Sequence, residues 1–152
     1  MDNSLITNQV IVQIGLVVHD IEATSQAYAK IFGIEKPKWF LTDPMEQTQC
    51  EYKGNPSEAR AKLAFLNFGQ VQVELIEPDG HSSTWRDHLD AHGEGVHHIA
   101  FMVENMGERV KLFEQRGISL VQKGEYTGGR YAYLDTSNEL KVILELLEKD
   151  KK

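Results

Sequence analysis

Val71-Gln72-Val73-Glu74-Leu75-Ile76-Glu77 returns as Val142-Ile143-Leu144-Glu145-Leu146-Leu147-Glu148, with the valine, both glutamates and the first leucine in register. A second echo accompanies it: Gln13-Ile14-Gly15-Leu16-Val17-Val18 is matched by His98-Ile99-Ala100-Phe101-Met102-Val103. Both repeats place a strong polar side chain in an otherwise apolar, β-branched segment, so Gln13, Glu74, His98 and Glu145 need an explanation. A polar group on a buried strand face needs a partner, and a divalent metal ion is one partner that all four could share.

Alternation along a strand decides which side chains can meet. Gln13, Gly15 and Val17 share one face, as do Gln72, Glu74 and Ile76; His98, Ala100 and Met102; and Ile143, Glu145 and Leu147. The opposite face of each segment is more uniformly apolar and is the one expected beneath helices. The four polar candidates then point into a concave hollow walled by Val17, Ile76, Met102 and Leu147, a composition suited to a small-molecule site.

Outward from these segments the same order of elements occurs twice. Residues 10–18 read as a strand, and Asp20 caps a helix through Ile21, Thr24, Tyr28 and Ile31 that stops at Gly33. Residues 39–42 form a short strand, and 43–58, with Pro44, Gly54 and Pro56, reads as a mobile loop. Two strands, 61–67 and 70–77, meet at Phe68-Gly69. A connector, 79–95, holds a short helix over 83–92. The pattern then restarts with a strand at 97–103, a helix from Asn105 to Gly117 and strands at 119–123, 131–135 and 141–148. The expected fold is α+β: one domain over 1–152, with tandem βαβββ modules at about 10–78 and 96–148 forming a curled, cup-like mixed sheet with its helices outside. Two copies imply paired sheets sharing an interface, since a solenoid needs at least about three repeats.

Composition narrows the function. At 152 residues the chain can bury about 70% of its unfolded surface without staples. Cys50 is the only cysteine, which excludes an internal disulfide and a thiolate cluster and fits a reducing cytoplasm. No apolar run approaches the ~20 residues needed to span a bilayer, and Met1-Asp2-Asn3-Ser4 lacks the marks of a signal peptide. A formal charge of -7 repels nucleic acid. Lys36, Lys38, Lys53, Arg60, Lys62, Lys123 and Arg130 remain available to a small anion.

The segments carrying the repeats, with Ala64-Phe65-Leu66-Asn67-Phe68-Gly69 and Gly95-Val96-His97-His98-Ile99-Ala100, resemble the vicinal oxygen chelate superfamily over residues 10–148. The resemblance is closest to its methylmalonyl-CoA epimerase-like and glyoxalase I-like branch. It implies paired βαβββ modules around one divalent ion, held by a residue from the first and last strand of each: Gln13, Glu74, His98 and Glu145. Epimerases of the family show His, Gln, His, Glu in chain order. The order here, Gln, Glu, His, Glu, is similar to zinc-type glyoxalase I. One imidazole with three oxygen donors suits Zn, Co, Ni, Mn or Mg, and disfavours an extradiol dioxygenase, which uses two histidines and one carboxylate.

The resemblance further implies a lyase or isomerase that transfers a proton beside a carbonyl through a metal-stabilised enediolate, on an acyl-CoA or thiol-adduct substrate, with Glu145 as both ligand and base. Glu58, in Ser57-Glu58-Ala59-Arg60-Ala61, falls where the epimerases carry a second catalytic glutamate. The rival reading, also from the superfamily, is a bleomycin-resistance-type protein that binds a drug or metabolite without turnover. Exposed edges of such sheets lead to the expectation of a homodimer. Of the remaining candidates, strand parity turns one of His97 and His98 outward, making His97 a polar contact or a group that supports the ligands from behind rather than a ligand. His81, His88 and His92 read as surface residues of the connector, and Gly128-Gly129-Arg130 as a turn with an exposed arginine. Tyr131 and Tyr133 share a face that walls the pocket or packs, and Cys50 has no histidine nearby in sequence to activate it.

Overall fold

The computed structural model describes residues 4–151. In its first half, β1 (Gln13–Val17) leads to α1 (Ile21–Phe32), β2 (Phe40–Leu41), α2 (Met45–Thr48), β3 (Glu51–Tyr52), β4 (Asn55–Pro56), β5 (Ala61–Phe68) and β6 (Val71–Pro78). The connector helix α3 (Thr84–His92) precedes β7 (Gly95–Met102), α4 (Met106–Gln115), β8 (Leu120–Tyr126), β9 (Gly129–Leu134), α5 (Ser137–Leu140) and β10 (Ile143–Lys149). The Asp20 carboxylate accepts from Ala23 N to start α1, and Gly33, at φ 64°, ends it in the left-handed conformation that glycine adopts without a Cβ clash.

The modules do not form two separate sheets. They share a single ten-stranded one in the order β2-β5-β6-β1-β7-β10-β9-β8-β3-β4. β1 and β7 pair antiparallel at the junction, and each pairs in parallel with the last strand of its own module, β6 or β10. Helices α1 and α4 cover one side. Ile21 and Tyr28 of α1 pack with Leu66 and Leu75, and Met106, Val110 and Phe113 of α4 pack with Leu134, Leu144 and Leu146. The other side curls into a cup, one end of which is filled by Trp85 and Leu89 of α3 against Val17, Ile76 and Tyr133.

Residues 43–58, expected as a mobile loop, instead contain α2, β3 and β4. Their polar composition masks a tertiary pairing: Glu51 and Tyr52 register with Lys123 and Gln122 of β8, in the other module. The Tyr52 hydroxyl donates to Asp87 of α3, and Ser57 Oγ donates to Ser82 O at 2.6 Å. With β2 paired to β5 and β3 to β8, this segment links the two ends of the curled sheet.

Candidate metal and substrate site

Strand registry builds the site in two rows. Glu74, Gly15 and His98 are neighbours across β6, β1 and β7, and Gln13, Ala100 and Glu145 are neighbours across β1, β7 and β10. In each module the residue two positions beyond the first-strand candidate is small, and it lies opposite the candidate of the other module. Gly15 is required there. A Cβ on it would lie 2.0 Å from His98 Cε1, so the imidazole occupies the space a side chain would fill.

The structure brings Gln13, Glu74, His98 and Glu145 together, all of them buried. His98 Nε2 lies 3.0 Å from Gln13 Oε1, 3.4 Å from Glu74 Oε1 and 3.2 Å from Glu145 Oε1. Gln13 Nε2 donates to Gln72 Oε1 at 2.8 Å, which fixes the amide with its oxygen toward the histidine. Burial lifts the Glu74 carboxyl from 4.5 to about 8, against the pull of His98 and with the repulsion of Glu145. Burial also disfavours charge on His98, but the Glu145 and Glu74 carboxylates outweigh it and leave the imidazole pKa raised.

The acceptors close on His98 Nε2 itself, and among the described residues no group of three or more His, Cys, Asp or Glu is spaced about a common point as metal ligands are. The donor chemistry nevertheless fits an ion. Glu74 Oε1 and Glu145 Oε1 are buried without a hydrogen-bond partner, and two desolvated carboxylates beside an amide oxygen and an imidazole lack only a cation to satisfy them.

His97 departs from the expected parity. Gly15 registers with His98 while Leu16 registers with Val96, so His97 is the extra residue of a bulge and is buried as fully as its neighbour. Its Nδ1 lies 2.8 Å from His98 Nδ1 and its Nε2 lies 3.1 Å from Thr84 Oγ1. If His98 presents Nε2 to the ligand set, its Nδ1 donates and His97 Nδ1 accepts, leaving His97 Nε2–H to donate to Thr84. Burial, with the charges of His98 and His88, holds His97 well below the usual histidine range, which keeps it neutral for that role.

Other candidates are sorted by place. His88 is half-buried rather than on the surface, its ring 5.5 Å from that of His97, whereas His81 and His92 are exposed. Glu58 does not join the site. Its side chain is 69% exposed and reaches His81 at 3.9 Å. Ser57 and Ala59 on either side are buried, which leaves Glu58 as the outward residue between them. Arg130 is held by Glu125, Glu148 and Asp150.

The hollow is a cavity of about 800 Å³ whose lining includes Gln13, Glu74, Glu145, Cys50, Tyr131 and Tyr133. Gln72 and Thr84, which orient Gln13 and His97, were not among the candidates from sequence; Gln72 could have been found as the residue sharing a strand face with Glu74.

Comparison with known proteins gives a family. The model described as the Glyoxalase/Bleomycin resistance protein/Dioxygenase superfamily matches residues 12–133. The uncharacterized protein YqjC of Bacillus subtilis (strain 168) is 25% identical over 138 residues, 89% of each chain. Among solved structures, hypothetical protein BH1468 from Bacillus halodurans C-125 is similar with a TM-score of 0.66 at 24% identity, covering 97% of this chain and 98% of that one. Methylmalonyl-CoA epimerase from Mycobacterium tuberculosis is similar with a TM-score of 0.63 at 20% identity, covering 99% and 93%. At these identities the structural likeness speaks to the fold. No helix among the described residues is long and apolar enough to cross a membrane.

Proposed function

The chain belongs to the Glyoxalase/Bleomycin resistance protein/Dioxygenase superfamily, and from that premise we propose that it is a metal-dependent lyase or isomerase moving a proton on a carbon beside a carbonyl. Its substrate in this proposal is an acyl-CoA or thiol adduct. The observation that carries it is the convergence of Gln13, Glu74 and Glu145 on His98 Nε2, with buried carboxylate oxygens left without a hydrogen bond in a cup whose walls are mainly apolar. A divalent ion held by these four residues would supply Lewis acidity to neighbouring substrate oxygens, making the adjacent C–H easier to ionise.

The chain's own groups do the rest. Glu145 lines the cavity, and its carboxylate is the group that takes the proton from the substrate carbon and returns it. Burial keeps the Tyr131 and Tyr133 hydroxyls well above their usual pKa, hence protonated. Each accepts a hydrogen bond, from Gln122 Nε2 and Trp85 Nε1 respectively, which orients it at the cup wall. Glu58 lies outside the cup, which favours return of the proton by one base over epimerisation between two. The proposal includes a cytoplasmic homodimer, which light scattering of the purified chain tests for oligomeric state.

The activity test is wash-in of solvent deuterium to the substrate carbon, using metal-loaded protein with panels of hemithioacetals and acyl-CoA thioesters. Wild type incorporates label and Glu145→Gln loses at least about a hundredfold of that rate. Binding without exchange by wild type would replace catalysis with capture.

A further inference from the structure

The cup's lining narrows the substrate beyond its reacting atoms. Building on the proton-transfer proposal above, we infer that the substrate carries a bulky, uncharged apolar group, aromatic or branched, next to its chelating oxygens, and that any anionic part stays at the rim beside Lys149.

Size gives the first argument. A cavity of about 800 Å³ is in the range that encloses a drug-sized ligand, far beyond the needs of a two- or three-carbon fragment. The walls supply the second. Phe40, Phe65, Trp85, Met102, Tyr126 and Leu147 line it, so a small polar substrate would leave this apolar surface facing water, whereas a ring or branched chain would bury it.

Charge supplies the third. Apart from Glu74 and Glu145, the charged lining residues are Asp43, Glu125 and Lys149. None of the seven basic residues that could greet an anion lines the cavity: Lys36 pairs with Glu22, Lys62 with Glu77, Lys123 with Glu51 and Arg130 with Glu125, Glu148 and Asp150, while Arg60 Nε donates to Thr42 O. An anionic substituent deep in the cup would therefore be desolvated with no cationic side chain beside it. Lys149 is exposed and shares the inward face of β10 with Glu145 and Leu147. Four residue steps along the strand separate it from Glu145, about 13 Å. The nucleotide of a CoA thioester, or the peptide of a thiol adduct, fits there and not inside.

Hydroxamates test this because they present two neighbouring oxygens on a variable body. Acetohydroxamate, benzohydroxamate, 2-naphthohydroxamate and 4-carboxybenzohydroxamate are titrated calorimetrically into the zinc-loaded and the chelator-treated protein, each normalised to its affinity for free zinc. The expected result is at least about tenfold tighter binding of benzohydroxamate than acetohydroxamate, a further gain for the naphthyl compound and about tenfold loss for the carboxylated one. Met102→Trp, which narrows the cup, costs the naphthyl compound more than the acetyl one; Leu147→Trp repeats this if the first variant does not fold. Equal affinities across the series, or undiminished binding of the carboxylated compound, overturn the inference while leaving chelation intact. Binding that is no tighter with zinc than without it for every hydroxamate overturns the proton-transfer proposal and this inference together.

Discussion

His97 Nδ1 and His98 Nδ1 lie 2.8 Å apart, with both rings against Tyr133, because β7 bulges opposite Gly15 and Leu16. One nitrogen must donate and the other accept, and Thr84 completes the chain at His97 Nε2. Outer hydrogen bonds of this kind hold a metal-ligating imidazole in one tautomer and orientation, and their loss costs about 10–100-fold in metal affinity. His97→Ala should weaken zinc binding by that factor in a competitive chelator titration. His97→Asn, whose amide oxygen can accept from His98 Nδ1, should recover most of it. Equal losses in the two variants would assign His97 to packing alone.

Gly15→Ala places a methyl in the volume of the His98 ring, 2.0 Å from Cε1. The ring must move, and its contact with Tyr133, at 5.1 Å between ring centroids, makes that movement costly. We expect destabilisation of about 1–3 kcal/mol in denaturant unfolding and a loss of metal binding larger than that from His97→Ala. Wild-type metal affinity in Gly15→Ala would contradict the role given to this glycine.

The Glu74 carboxyl is raised to about 8 by burial from an ordinary 4.5. A group whose pKa rises on folding adds stability that is complete below its unfolded pKa and is lost as pH climbs through its folded one. Chelator-treated protein should therefore lose Tm between about pH 4.5 and 8, and His98, also raised, acts in the same direction. Glu74→Gln should flatten that fall and melt several degrees above wild type at pH 8.5 in chelator, as 1 kcal/mol moves Tm by about 2–4 °C at this chain length. Parallel Tm–pH curves for the two proteins would refute the assignment.

Cys50 lies in the cup wall but is 2% exposed, and burial raises its thiol pKa despite the Tyr131 hydroxyl nearby. A protonated, covered thiol is a poor nucleophile. Native protein should resist iodoacetamide at pH 8 for at least about a hundred times longer than the unfolded chain. Comparable rates would mean that the cup exposes Cys50.

The duplicated strands made the fold and the meeting of Gln13, Glu74, His98 and Glu145 legible, because alternation and repetition act at positions a reader can count. What alternation could not show was where it fails. The bulge that buries His97 leaves no mark in the single strand and exists only in the pairing of β7 with β1. The order in residues 43–58 likewise comes from β8, distant in sequence, and not from the local glycine and prolines. Glu58 runs the other way: the family resemblance set it at the position of a second catalytic glutamate, while its side chain is 69% exposed between the buried Ser57 and Ala59. Gly15 did carry a signal, a glycine inside a strand at the position matched by Ala100, and its meaning emerged once His98 was seen to lie over it.

Everything chemical rests on one cation shared by an amide, an imidazole and two carboxylates, so elemental analysis after loading with zinc and removal of excess metal is the most direct measurement. The wild-type chain should retain one zinc per chain, and the Glu74→Gln/Glu145→Gln double variant close to none, with circular dichroism showing both folded. Wild type retaining no more zinc than a folded double variant would contradict the account.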